Sequence, residues 1–155
     1  MKDPEQSIGL LFHMFGIIMI ARGFLGAFIV EQRFWKQVNS DISKSGAILP
    51  IMKTLPLIIQ VGLLIQVISG VVLLHARNWQ YWGENWLSIK LIFVALAFAN
   101  GILVGKRLGG KIGAQVFSPS PDKAALVVLK GKMKTCNFIQ TVLILGILTL
   151  ATVFR

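Results

Sequence analysis

The stretch His75-Ala76-Arg77-Asn78-Trp79-Gln80-Tyr81-Trp82-Gly83-Glu84-Asn85-Trp86-Leu87-Ser88-Ile89-Lys90 is a short polar connection, rich in aromatics, between two long apolar runs. Trp79, Tyr81, Trp82 and Trp86 carry apolar rings with polar N–H or O–H tips. Side chains of that kind collect where hydrocarbon meets headgroup, so the stretch reads as a membrane-interface belt. A belt fixes depth. The runs on either side of it are spans, and His75 and Lys90, which bracket it, lie near the same face of the bilayer.

The rest of the chain agrees. Of its 155 residues 55% are hydrophobic, and the mean hydropathy of +0.73 is too high for an ordinary soluble domain of this size. Four segments, roughly 8–30, 54–75, 86–105 and 135–153, each hold about 20 residues, the length that crosses a hydrocarbon core at ~1.5 Å per residue. The expected fold is all-α: a polytopic four-transmembrane-helix bundle forming a single membrane domain over 1–155. Helical extensions are expected over 31–45, until Gly46 and Pro50 break the first, and over 121–134, where Ser120 caps a helix with Pro121 in its first turn. Between them Gly109, Gly110 and Gly113 predict a flexible turn. The N-terminus, Met1 to Gln6, carries acids and lacks a signal peptide's basic start and cleavage site, so the first span is expected to be retained.

The formal charge is +10, which in a soluble protein would point to nucleic acid. Here orientation explains it. The first and third connections hold Arg33, Lys36, Lys44, Lys53, Lys106, Arg107, Lys111, Lys123, Lys130, Lys132 and Lys134, against Lys2, Arg77 and Arg155 on the other side. Eleven against three predicts cytoplasmic basic loops and both termini outside, with the lipid bilayer and no nucleic acid as partner. The single Cys136 excludes an intramolecular disulfide and a cluster ligated by cysteines alone.

Three nitrogen side chains share the outer depth: His13 about a turn inside the first span, His75 closing the second, and Lys90 about a turn into the third. Ionisable groups at membrane depth are expensive and mark sites. Lys90 lies on a stripe with Val94, Ala97 and Gly101. It either points into the bundle or snorkels to headgroups. His13 shares a face with Gly16, Ile17 and Ile20. His75 falls about half a turn from the Gly62, Gln66, Ser69 stripe of its own helix, which favours an interfacial place. Arg22, near mid-membrane, has three readings: a pair with Gln60 or Gln66, contact with an anion, or snorkelling. Neutral imidazole binds haem iron and copper, and a four-helix bundle can hold a planar cofactor between facing helices. No carboxylate lies within the spans to orient a triad. The Gly109-to-Gly113 segment lacks the preceding strand and the Lys-Ser/Thr ending of a phosphate loop.

His13-x-x-Gly16 followed by Gly23, and Trp86-Leu87-x-x-Lys90-Leu91, resemble the starts of helices one and three in the HemJ and CopD-like family of small four-helix membrane proteins. The likeness extends to a basic extension after helix one, a Pro-led second helix and a basic segment before the fourth. It implies a bacterial inner-membrane protein that binds haem b and oxidises protoporphyrinogen IX to protoporphyrin IX. In that reading His13 is an axial ligand, Trp86 lies beside the cofactor, and Lys90 orients a propionate or handles protons, with Arg22 a second candidate for catalysis. CopD-type relatives imply copper transport or homeostasis instead, with His13 and His75 as ligands. A third reading is a non-catalytic accessory subunit of a larger membrane complex. The chain departs from the HemJ pattern at Ile20, where those proteins tend to have Trp, and in the phase of Arg22. So small a bundle has little room for a porphyrin alone, which makes a homo-oligomer an expected partner.

Overall fold

The computed structural model describes residues 4–153. Its elements are α1 (Pro4–Ser40), α2 (Ile42–Ser45), α3 (Leu49–Ala76), α4 (Asn85–Ala99), a π-helical stretch (Asn100–Gly105), α5 (Lys106–Val116) and α6 (Lys123–Val153). No strand occurs among the described residues. With α2–α3 and α4–α5 each taken as one rod, four helices are long and apolar enough to cross a membrane. Only 17–22% of their most apolar windows is buried inside the protein. Helices that are apolar all round yet mostly uncovered make sense with lipid against them.

The rods run up and down in turn. In α1, Gly9, Gly16 and Gly23 recur every seven residues and are all buried against α3. A Cβ at Gly16 would lie 3.1 Å from the Gly62 carbonyl oxygen, and one at Gly62 only 2.8 Å from Ile20. Small residues let two backbones touch, which is how helices associate where no hydrophobic force drives them together. On the other side Phe93 of α4 lies over Gly146 of α6. Lys53 of α3 reaches Gly113 of α5, and Lys130 of α6 stands 5.7 Å over the Trp35 ring of α1. These contacts close the ring of four.

Two cores fill it. One, at the end carrying the basic residues, joins Phe34, Trp35 and Val38 of α1 to Leu49 and Met52, to Leu108, Ile112 and Val116, and to Leu126, Leu129 and Met133 of α6. The other lies at mid-length around Ile20, Ile59, Leu63, Ala97, Ile144 and Ile147. At 37 residues, α1 is about 55 Å long, well beyond the ~30 Å hydrocarbon core.

Four sequence expectations are corrected. Helix α1 stops at Ser40 rather than continuing to Gly46, because Asp41 takes an extended conformation and its carboxylate caps α2 at the Ser43 N–H (3.0 Å). Pro50 begins a helix instead of breaking one, since it sits in the first turn of α3, where a missing N–H costs nothing. Gly109, Gly110 and Gly113 form no turn: α5 runs through them, anchored by buried Leu108, Ile112 and Val116. The reversal falls at 117–122 instead. There Asp122, not Ser120, caps α6 by accepting from the Ala124 and Ala125 N–H groups (2.8 and 3.2 Å). Beyond it α6 passes Gly131 unbroken.

Candidate functional site

The aromatic connection is built by a helix stop. At the end of α3 the Asn78 N–H bonds the His75 carbonyl (2.9 Å) and the Trp79 N–H that of Leu74 (2.9 Å), the paired bonds of a Schellman motif. Asn78 and Trp79 both adopt positive φ, 51° and 58°. Asn tolerates that region; for Trp it is unusual, and it turns the ring back along the chain. His75, Trp79 and Trp82 then stack edge to face at 6.5 and 5.5 Å, and Tyr81 meets Trp86 at 5.9 Å. Trp82 remains 65% exposed, as expected of a ring that sits at a headgroup boundary.

Below this belt His13 meets Ser69 across the α1–α3 seam, with Nδ1 2.9 Å from Oγ. Ser69 is buried, and its hydroxyl donates to the Ile65 carbonyl one turn back (2.7 Å). One hydroxyl has one proton. With that proton directed at Ile65, the serine oxygen accepts, so His13 donates through Nδ1–H and keeps the lone pair on Nε2. Gln66 donates from its side chain to the His13 carbonyl and lies over Gly16, tying the same turn of α1 to α3. Ser69 and Gln66 are thus supporting residues that the sequence showed only as a polar stripe on α3.

Lys90 is half-buried in α4 and within electrostatic reach of the His13 ring. Its stripe faces inward: Ala97 is fully buried and Val94 packs on the central core. Trp86, one turn before Lys90 on the same face, is half-buried as well. His75 and Arg22 stand apart. His75 is exposed and faces the Glu5 carboxylate at 3.8 Å, at the far end of the seam. Arg22 is exposed on α1; Gln66 is engaged by His13 and Gln60 lies against Gly101, so neither glutamine is its partner.

A second polar set, absent from the sequence reading, lies towards the basic end. At the start of the π-helical stretch Asn100 donates to the Cys136 carbonyl (3.0 Å) and to Gln140 Oε1 (2.9 Å). Beside it Glu31 accepts from Asn137 and from the Trp35 indole (3.3 Å). A wide helical turn is what aims Asn100 at α6, and periodicity at 3.6 residues per turn gives no sign of it. Among the described residues no three His, Cys, Asp or Glu side chains converge as a metal site. Comparison of the chain with family models, curated proteins and solved structures finds no match.

Proposed function

We propose that the protein is a haem-binding redox protein of the bacterial inner membrane, with both termini outside and the basic end in the cytoplasm. The observation that carries this reading is the His13–Ser69 pair, which engages Nδ1 and leaves an imidazole lone pair at Nε2. An axial histidine needs that arrangement: the distal ring nitrogen held by a hydrogen bond, the other free for iron. His13 and Trp86 would hold the group, and the Lys90 ammonium would neutralise a carboxylate on it or take up protons. A bound haem would supply one-electron chemistry at this depth. The resemblance to HemJ-type proteins makes porphyrinogen oxidation the reaction to assay. Sidedness rests on the concentration of Lys and Arg at one end of the bundle.

The test is an absorption spectrum of detergent-purified protein, with and without dithionite, beside His13→Ala. The expected result is a Soret band that shifts on reduction and is lost in the variant. A featureless visible spectrum from folded protein supplied with haem sinks the proposal. Copper retained by that same colourless protein would favour the copper-handling reading.

A further inference from the structure

Gly131 is a glycine without an evident structural reason. It sits inside α6, where glycine costs roughly 1 kcal/mol relative to alanine. Yet nothing lies within 4 Å of the place its Cβ would take. The same empty place is the floor of a lateral groove of about 430 Å³ between the π-helical stretch and α6. Above the groove Asn100 holds the two helices together through Cys136 and Gln140. Beside that tie Val104 and Leu108 face Gly131, Thr135 and Ile139 across the groove.

The walls are ordered along the bundle. Ile139 lies towards its centre and Val104 on the facing helix, while Leu108 and the exposed Lys132 stand at the basic end, with Thr135 between. Lys106 and Arg107 lie in sequence between the two α4–α5 wall residues, at the level where the apolar run gives way to charge. Among the described residues Lys44 makes the only Lys or Arg ion pair, with Asp41. The cations around the groove therefore have no acidic partner among the described residues.

We propose that this groove binds one anionic glycerophospholipid, with an acyl chain along Val104, Gly131 and Ile139 and the phosphate at Lys132. An apolar trough that becomes cationic where the spans end matches both the polarity and the direction of such a lipid in the adjacent leaflet. Basic recesses between spans recognise anionic headgroups in this way. The site is at the opposite end of the bundle from His13, so it stands or falls independently of haem binding.

The full chain, purified in mild detergent, is titrated with palmitoyl-oleoyl phosphatidylglycerol or phosphatidylcholine and read by native mass spectrometry. One phosphatidylglycerol is expected to bind at least roughly fivefold more tightly than phosphatidylcholine, the preference that one basic side chain confers. Gly131→Leu, which adds a good helix former and fills the floor, should abolish the tight site, with circular dichroism reporting the fold. Val104→Trp fills the groove from the other wall and serves if Gly131→Leu does not fold. Lys132→Gln should equalise the two lipids, whereas Lys36→Gln should leave the preference intact. Equal binding of both lipids by the native chain, or a preference that survives both groove-filling variants, overturns the proposal. A dimer that either filling variant dissociates also overturns it, because a second copy then occupies the groove.

Discussion

At the basic end Phe34, Leu49, Ile112 and Leu126 are almost wholly buried, drawn from four different helices. At the aromatic end no comparable cluster forms among the described residues, and the helices meet through His13, Ser69 and Gln66 and the closely approaching glycines of α1 and α3. One end is held by packed volume, the other by polar contacts and backbone proximity. Packed apolar volume resists deformation, while a polar seam carries donors and acceptors that can also meet a ligand. The candidate site lies at the second of these ends, among the polar contacts.

The comparison can be broken by mutation. Phe34→Ala should have the largest effect, a loss of about 3–5 kcal/mol in reversible unfolding, because it empties the best-packed core. A loss under about 1 kcal/mol would show that the basic end is not the stabilising half. Gly62→Ala comes next, at about 1–3 kcal/mol, since its Cβ would press on Ile20 and on the Gly16 carbonyl oxygen (2.8 and 3.1 Å). Neither backbone can yield without opening the seam, and amide exchange should rise along α1 and α3 before it rises in α5.

Ser69→Ala sharpens the contrast further. Removing the acceptor from His13 Nδ1 should cost roughly 1 kcal/mol of stability. Haem affinity should fall about 10–100-fold, as it does when a ligand's supporting hydrogen bond is lost. Unchanged affinity would mean that Ser69 does not orient the ring. The smallest effect is at Asp41, whose carboxyl the Ser43 hydroxyl holds below the usual carboxylate range. A lowered value in the folded state means that the cap is complete above the ordinary pKa of about 3.9 and is lost as pH falls through the lowered one. Amide protection in α2, taken relative to the intrinsic exchange rate at each pH, should therefore be flat from neutral pH down to that range and fall only below it. Fraying that starts near pH 6 would contradict the cap.

The glycines of α5 show where sequence patterning stops. Gly109, Gly110 and Gly113 read as a turn because glycine disfavours a helix by about 1 kcal/mol at each position. Burial of Leu108, Ile112 and Val116 against Phe34 and Leu126 outweighs that penalty. The helix start misplaced at Ser120 has a similar cause. The Asp122 N–H is held by Gln115 Oε1 across the reversal (3.2 Å), which fixes Asp122 as the cap, and local propensity carries no record of that bond.

The candidate site was half legible. His13 and Lys90 stood out because charge and imidazole are rare in apolar runs, and their depth followed from the aromatic belt. Their partners were not legible, since Ser69 and Gln66 are ordinary polar residues until α3 is laid against α1. The separation of His75 from His13 was equally hidden, although both are histidines near one face.

By itself the sequence determined four apolar helices, the grouping of Lys and Arg at one end, and the aromatics at the other, because length, hydropathy and charge act locally along a chain. Only the tertiary structure decided which helices touch, which nitrogen of His13 is engaged, and which residues of α6 and the π-helical stretch enclose the groove at Gly131. Those outcomes depend on which surfaces fit at van der Waals distance, and fit belongs to pairs of helices rather than to any one of them.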